Sequence, residues 1–286
     1  MTENIVYLNG EYLPREQASV SVMDRGFLYG DGVYEVIPVF GDGMLGLQGH
    51  LDRLDNSLSR AHLDQVYTQQ EWMALFEELL RRNPGEHRAI YLQVTRGVYP
   101  KRDLACVEGV APTVFMMVMQ VSPVSTATLE SGISAITVDD FRWHACDIKS
   151  IALIANVMMK REANDAGATD AILVRDGYVT EGTASNLFIV KDGTIITPPN
   201  SEKLLPGITR DLVIDIANAA GLPLEERDIE QEELTQAQEI WLTSSTREIA
   251  PVVTLDGRPV ADGAAGPVWR KVIDLYQQRK QQLKAS

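Results

Sequence analysis

The stretch "CDIKSIALIAN" (residues 146–156) places a lysine where the neighbouring residues are typical of a buried segment. Asp147 and Ile148 are typical of the end of an extended segment, and a helix is predicted from Ser150 to about residue 166. Lys149 therefore falls at a corner between strand and helix. Its ammonium group either reaches water over apolar surface or is held partly out of water. In the second case its pKa falls, and the neutral amine can form a Schiff base with a carbonyl group.

Outward from this corner, strands come in runs and helices in separate groups, which predicts an α+β protein rather than a doubly wound sheet. The chain of 286 residues can form one large domain or two modest ones. Segment 122–130 contains Pro, Ser and Thr and is predicted to be a linker. It would join a smaller N-terminal α/β domain, residues 1–121, to a larger C-terminal domain, residues 131–286, that carries Lys149.

Turn residues and apolar periodicity predict the main elements on either side of the linker. Helices are expected at about 50–62 and 69–82, in "PGITRDLVIDIANAAGL" (206–222) and at the C-terminus. Glycine-containing turns predict strand hairpins. These turns are Asn9-Gly10, Gly41-Asp42-Gly43, Asp176-Gly177, Asp192-Gly193 and Asp256-Gly257.

Composition and charge exclude several classes of function. The net charge of −14 argues against a surface for nucleic acid or anionic membrane, because polyanions would be repelled. No apolar run approaches the roughly 20 residues needed to span a bilayer. The only cysteines are Cys106 and Cys146, in no metal-like spacing, which predicts a reducing cytoplasm, inert thiols and no metal site.

Two hydroxyl-containing stretches are candidates for binding a phosphate group. "LLPGITRD" (204–211) puts Ile208 and Thr209 at a predicted helix N-terminus, where free N–H groups and the helix dipole favour an anion. The alternative is a simple helix cap. "LTSSTREI" (242–249) puts Ser245 and Thr246 at the end of a strand, where they form either a second set of donors or a polar loop.

Two charged residues have a functional and a structural interpretation. Arg53 lies on a predicted helix, where its guanidinium could bind a phosphate or pair on the surface with Asp52, Asp55 or Asp64. Glu181 lies beside Gly182 at a strand end. Its carboxylate could hold a heterocyclic nitrogen protonated, or could be a solvated charge at the end of a hairpin.

Taken together, these stretches resemble one family along nearly the whole chain, the fold-type-IV pyridoxal-phosphate enzymes. That family includes D-amino-acid transaminases, branched-chain transaminases and aminodeoxychorismate lyases, and the resemblance implies a two-domain α+β fold. The D-amino-acid transaminases are the subgroup that "YGDGVYEV", "RW..CDIKS" and "TEGTASN" resemble most. The matching stretches, in order, are "DRGFLYGDGVYEV", "HLDRL", "QVTRG", "DIKS", "TEGTASN", "PGITRD" and "TSSTREIAPV".

The resemblance implies a role for each candidate residue. Lys149 would be the lysine of the internal aldimine with pyridoxal 5′-phosphate and the carrier of the substrate's Cα proton. Glu181 would face the pyridine nitrogen, which makes the cofactor a better electron sink. The phosphate would be bound by Arg53, Ile208, Thr209 and Ser245, and the substrate by Tyr34, Arg102 and Thr246.

The activity implied is transamination between a D-amino acid, such as D-alanine or D-glutamate, and a 2-oxo acid, with ping-pong kinetics. The alternatives on the same fold are a branched-chain L-amino-acid transaminase and an aminodeoxychorismate lyase. The family also implies a homodimer whose partners are small-molecule amino acids and 2-oxo acids.

One loop departs from the D-amino-acid subgroup, which binds the substrate carboxylate with an Arg-x-His pair shortly after "VTRG". Here the chain reads "VTRGVYPKRDLACV" (94–107), so that Arg102 takes the arginine position and Leu104 stands in place of the histidine. Lys101 or Tyr99 could compensate. Arg102 could instead be a solvated charge beside Lys101, and the departure leaves the range of substrates open.

Overall fold

The computed structural model describes residues 4–105, 109–122 and 125–284, without the side chains of Thr126, Thr128 and Lys284. Contacts divide this part of the chain into two units. Unit 1 contains the residues up to Ser122 together with Ile148–Ala152, and unit 2 contains the rest. The limits predicted for the domains and for a linker at 122–130 stay a prediction. Cys106 lies outside the described residues, whereas Cys146 is buried and unpaired.

Unit 1 is built on an antiparallel sheet with the strand order β2-β1-β6-β5-β3-β4. Asn9 and Gly10 have φ angles of 49° and 99°, the left-handed backbone that a two-residue hairpin loop requires, so the predicted turn between β1 and β2 is confirmed. The strands are β1 (Ile5–Leu8), β2 (Glu11–Pro14), β3 (Gly32–Phe40), β4 (Gly43–Met44), β5 (His87–Thr95) and β6 (Thr113–Gln120), and the helices are α1 (Arg25–Tyr29), α2 (Leu47–Arg60) and α3 (Gln69–Arg82).

The core of unit 1 joins one face of this sheet to α2 and α3. Along β3, Val33, Glu35 and Ile37 are buried, while Tyr34 and Val36 are half-buried, since successive side chains alternate between the two faces. The helices contribute apolar residues at spacings of three and four, Leu51, Leu54 and Leu58 from α2 and Trp72, Phe76 and Leu79 from α3. Glu35 is thus a carboxylate on the core face of the sheet.

The segment around Lys149 packs on unit 1, although the sequence predicted it within the C-terminal domain. The Tyr34 N–H donates to the Lys149 carbonyl (2.9 Å), and the Ile151 N–H donates to the Gly32 carbonyl (3.1 Å). These bonds hold the chain extended along β3, so the helix predicted from Ser150 begins only at Ile154. The predicted corner is present, but its helical start was placed four residues too early.

Unit 2 contains a mixed sheet with the strand order β12-β11-β10-β13-β14-β7-β8-β9, in which β15 also pairs with β14. Parallel pairs join β14 to β7, β7 to β8 and β11 to β12. Its strands are β7 (Ile133–Asp139), β8 (Asp170–Arg175), β9 (Tyr178–Gly182), β10 (Asn186–Lys191), β11 (Thr194–Thr197), β12 (Leu224–Glu226), β13 (Glu239–Ser244), β14 (Glu248–Leu255) and β15 (Arg258–Pro259), and its helices are α4 (Thr126–Glu130), α5 (Ile154–Asp165), α6 (Ile208–Ala219) and α7 (Pro267–Lys284).

The α+β prediction is confirmed, since each unit carries its own sheet and its own helices. The predicted hairpin turns at Asp176, Asp192 and Asp256 have left-handed backbones, each followed by a glycine with positive φ. α4 forms within the segment predicted to be a linker. Among the described residues, no helix combines the length and the apolar character needed to cross a membrane.

Candidate active site

Lys149 lies in unit 1 with its amine over an aromatic ring. The side chain is half-buried, and Nζ lies 4.3 Å from the centroid of the Tyr34 ring, within the range of a cation–π contact. Its backbone N–H donates to Ser57 Oγ (3.2 Å) on α2. Tyr34 in turn stacks on Tyr91, with ring centroids 5.8 Å apart. The structure therefore brings together two predicted site residues, Lys149 and Tyr34.

Arg53 is buried and held by a carboxylate from the neighbouring strand. Its Nε and Nη2 donate to Glu35 Oε1 and Oε2, both at 2.8 Å, which is a two-pronged ion pair. The Arg53 side chain is only 6% exposed. The alternative of a surface pair with Asp52, Asp55 or Asp64 is therefore wrong, because the Arg53 side chain is buried and pairs with Glu35.

His50 completes this buried group, one helical turn before Arg53. Its Nδ1 lies 2.7 Å from Glu35 Oε2. Burial lowers the pKa of His50, assisted by the charges of Arg53 and Lys149, so the neutral ring donates its Nδ1 proton to Glu35. Burial would raise the pKa of Glu35, but Arg53 and His50 outweigh it and hold that pKa far below its usual value.

The sequence interpretation missed Glu35 and His50. Two signals were available: Glu35 occupies a core position in the alternation of β3, and His50 precedes Arg53 by three residues on one face of α2.

Arg102 lies on the loop that follows β5 and contacts α1. Its Cζ is 5.4 Å from the centroid of the Tyr29 ring, and the Arg25 Cζ lies 4.9 Å from the same ring. Arg25 also fixes the loop by donating from Nη1 to the Asp103 carbonyl (2.5 Å). Leu104, in place of the histidine, is 78% exposed. Arg102 is thus positioned on α1, whereas Lys149 and Tyr34 lie along β3.

Glu181 lies near the end of β9 in unit 2, where a buried arginine holds its carboxylate. Arg142 Nη1 donates to Glu181 Oε1, and the Leu205 N–H donates to Oε2 (3.1 Å). Asn186 Nδ2 approaches the same oxygen at 3.5 Å and also donates to the Leu205 carbonyl (2.7 Å). Burial raises the pKa of Glu181, and Arg142 opposes that rise. The alternative of a solvated hairpin-end charge is therefore wrong, since Glu181 is 5% exposed.

Arg142 itself sits between two buried carboxylates. It donates from Nε to Asp140 Oδ1 (2.9 Å) and from Nη2 to Oδ2 (2.8 Å), and Arg175 approaches Asp140 at 3.0 Å. Burial opposes ionisation of Asp140, but the two arginines keep its pKa at about 2. Asp140 therefore holds the Arg142 guanidinium in place, and Arg142 in turn holds the Glu181 carboxylate. The sequence interpretation quoted Arg142 in a motif but gave it no role.

The N-terminus of α6 is buried and has no side-chain cap. Gly207 is the N-cap residue, and no described side chain caps the helix, so the first N–H groups at Ile208 and Thr209 lack that partner. A Cβ at Gly207 would lie 1.7 Å from Asn186 Oδ1, which explains why glycine is needed there. Thr209 is buried.

Ser245 and Thr246 lie in the turn that joins β13 to β14. Ser245 is half-buried and Thr246 is exposed. Two further hydroxyls in unit 2, Thr243 Oγ1 and Ser185 Oγ, are buried without a hydrogen-bond partner in the described part of the chain. Buried polar groups normally have partners, so these two hydroxyls have hydrogen-bonding capacity that no described residue uses. No cluster of three or more His, Cys, Asp or Glu among the described residues could hold a metal ion.

Comparisons with known proteins find relatives along nearly the whole chain. The family model for amino-transferase class IV matches residues 32–255. A D-alanine aminotransferase from Bacillus licheniformis is 39% identical over 272 residues, 95% of both chains. The solved branched-chain aminotransferase from Thermoproteus uzoniensis is 30% identical, with a TM-score of 0.90 over 99% of this chain and 96% of its own. A hypothetical aminotransferase from Mycobacterium tuberculosis, solved in a PLP-bound form, is 28% identical, with a TM-score of 0.83 over 96% of this chain and 97% of its own. The predicted fold is confirmed, and the chain belongs to the class IV aminotransferases.

Proposed function

We propose that this aminotransferase moves the amino group of a D-amino acid, such as D-alanine or D-glutamate, to a 2-oxo acid with the help of pyridoxal 5′-phosphate. The observation that carries the proposal is the half-buried Lys149 amine against Tyr34, in a chain that aligns with D-alanine aminotransferases over 95% of its length. The Mycobacterium tuberculosis relative of the same fold binds this cofactor.

The residues present fit this cofactor. The uncapped N-terminus of α6 suits a phosphate, to which Ile208 and Thr209 would donate, with Ser245 adding a hydroxyl. The unpartnered hydroxyls of Thr243 and Ser185 offer hydrogen bonds to a polar group in unit 2.

Two further residues would complete the binding. Glu181, oriented by Arg142, would accept a hydrogen bond from the pyridine nitrogen. Arg53 of unit 1, held by Glu35, is a further candidate ligand of the phosphate group.

When bound, pyridoxal phosphate supplies a carbonyl carbon that accepts an amine and a ring that withdraws electrons from the substrate Cα. Lys149 Nζ would bind that carbonyl carbon at rest and carry the Cα proton during the reaction. Tyr34 would orient the substrate beside the amine, and Arg102 and Thr246 would bind its polar groups.

The test is a stereochemical one. Purified enzyme would be incubated with 2-oxoglutarate and either D-alanine or L-leucine, and formation of the two amino acids and 2-oxo acids would be followed by chromatography. Transfer from D-alanine and not from L-leucine supports the proposal. A Lys149→Ala variant that kept full activity would refute every catalytic version of it.

A branched-chain L-amino-acid transaminase is the second candidate. Leu104, exposed where the D-amino-acid subgroup has histidine, favours it because the expected carboxylate-binding pair is incomplete. L-leucine as the preferred donor in the same assay would establish this alternative.

We also propose a cytoplasmic homodimer. In α5, Ile154, Val157 and Met158 are all exposed and lie at spacings of three and four, so they share one helix face, and an exposed apolar face of this kind marks an interaction surface. Sedimentation at assay concentration tests this, and a fully active monomer would refute it.

A further inference from the structure

Asp170, the first residue of β8, has no role in the proposed chemistry, yet it is a buried charge with several partners. It is 2% exposed. Oδ1 accepts from Thr183 Oγ1 (2.5 Å) and from the Ala171 N–H (2.9 Å), and Oδ2 accepts from Arg247 Nη1 (2.5 Å). Lys160 of α5 adds a second cation at 3.8 Å. A carboxylate with this many partners is fixed in position.

Its two strongest partners belong to two different loops of unit 2. Thr183 follows Glu181 by two residues, and its carbonyl also accepts from Asn156 Nδ2 (2.8 Å). Arg247 follows Ser245 by two residues, and its N–H donates to Ser244 Oγ (3.2 Å). Asp170 therefore links the loop that follows Glu181, the carboxylate proposed to face the ring nitrogen, to the turn that contains Ser245, the hydroxyl proposed to bind the phosphate.

The far side of that turn is also fixed. Glu248, the first residue of β14, has a left-handed backbone with φ of 59°, which is unfavourable for a glutamate. Its carboxylate accepts from Gln277 Nε2 (2.5 Å) and from Lys280 Nζ, both on α7. Because α7 holds Glu248 at one end of the turn, the position of the Ser245 turn depends on the Arg247–Asp170 ion pair at its other contact.

We propose that Asp170 is a positioning residue for the cofactor: through Arg247 it holds the Ser245 turn in place for the phosphate, and through Thr183 it ties that turn to the Glu181 loop. This inference rests on the proposed function, because it assumes that the Ser245 turn binds the phosphate of pyridoxal phosphate.

The test measures binding to the apoenzyme rather than activity. Affinities for pyridoxal phosphate, and for pyridoxal, which lacks the phosphate, would be measured by absorbance titration for wild type, Asp170→Asn, Arg247→Met and the double variant. We expect each single variant to lose about tenfold in affinity for pyridoxal phosphate, equivalent to about 1.4 kcal/mol, and to change little for pyridoxal. The double variant should lose little more than either single one, since both break the same ion pair.

Two sets of controls separate positioning from general loosening. Glu233 is a matched carboxylate elsewhere in unit 2, held likewise by one arginine, Arg227 (2.8 Å), and one lysine, Lys191 (3.2 Å). Glu233→Gln should leave both affinities unchanged even if it lowers stability. Thr183→Ser retains the hydroxyl and should bind pyridoxal phosphate like wild type, whereas Thr183→Val should bind it more weakly.

The outcomes are distinguishable. Wild type that binds no pyridoxal phosphate would overturn the proposed function and this inference together. Wild type that binds while Arg247→Met and Asp170→Asn keep its affinity would overturn the inference alone. An equal loss for pyridoxal and pyridoxal phosphate would also overturn it, because the effect would then not act at the phosphate end. Arg247 is 41% exposed, so its variant is expected to fold even if Asp170→Asn does not.

Discussion

Replacing Arg142 with methionine tests whether this arginine is what holds the buried Glu181 carboxylate in place. The guanidinium is 6% exposed and bridges Asp140 and Glu181. Without it, Asp140 retains Arg175 at 3.0 Å, but Glu181 retains only the Leu205 N–H and the distant Asn186 amide. The free-energy cost therefore falls mainly on Glu181, which becomes a buried carboxylate without a cation.

Breaking a buried ion pair from one side costs about 3–5 kcal/mol, because the remaining charge is left uncompensated. We expect Arg142→Met to lower the free energy of unfolding by that amount. Adding Glu181→Gln removes the orphaned charge, so the double variant should regain about 1–3 kcal/mol relative to the sum of the single changes.

The assay is urea unfolding of the apoenzyme, followed by tryptophan fluorescence. Trp143, Trp241 and Trp269 lie in unit 2 with Arg142, so the signal reports mainly on that unit. Arg161→Met is the control: it lies in unit 2, and the side chains of its surface pair with Asp165 are 81% and 70% exposed, so loss of this pair should cost little stability. The support that Arg142 gives to Glu181 would be refuted if Arg142→Met lowered the free energy of unfolding no more than the control does. It would also be refuted if adding Glu181→Gln restored none of the lost free energy.

Two further predictions concern unit 1. Burial lowers the pKa of His50 in the folded protein, so the unfolded chain binds a proton first as the pH falls. The free energy of unfolding is therefore retained above about pH 6.5 and decreases below it, by at most about 1.4 kcal/mol per pH unit. His50→Gln, which can still donate to Glu35, should flatten that slope in urea unfolding at pH 7.5 and 5.5, and an unchanged slope would contradict the assignment. Tyr29→Leu should raise KM for the amino acid several-fold with little change in kcat, because Arg102 loses a ring contact worth about 0.5–1 kcal/mol, whereas Tyr29→Phe should behave like wild type. Equal kinetics for Leu and Phe at this position would exclude the ring as a support for Arg102.

Much of the fold could be predicted because the decisive signals are local. The turn at Asn9-Gly10 and the helix from Ile208 follow from backbone preferences and apolar spacing that a few residues carry. The start of α5 could not be predicted in the same way. Residues 149–151 hydrogen-bond to β3, more than a hundred positions earlier in the chain, and that long-range pairing overrides the local helical pattern.

The same difference between local and long-range signals applies to the candidate site. Lys149, Arg53 and Glu181 could be proposed as site residues from the sequence because each lies in a short motif that carries the family resemblance. Their supports could not, since Glu35 lies 18 residues from Arg53 and Arg142 lies 39 residues from Glu181. Only packing reveals that these charges are buried and paired, which is why the surface alternative for Arg53 was wrong.

The most direct measurement is the visible absorption spectrum of the purified protein with pyridoxal phosphate, before and after separate additions of D-alanine, D-glutamate, L-leucine and L-glutamate. We expect a yellow band that the D-amino acids bleach and the L-amino acids do not, and that is lost in Lys149→Ala. Bleaching by L-leucine instead would move the activity to the branched-chain group. No band in the wild-type protein would contradict the central claim, that Lys149 binds the cofactor.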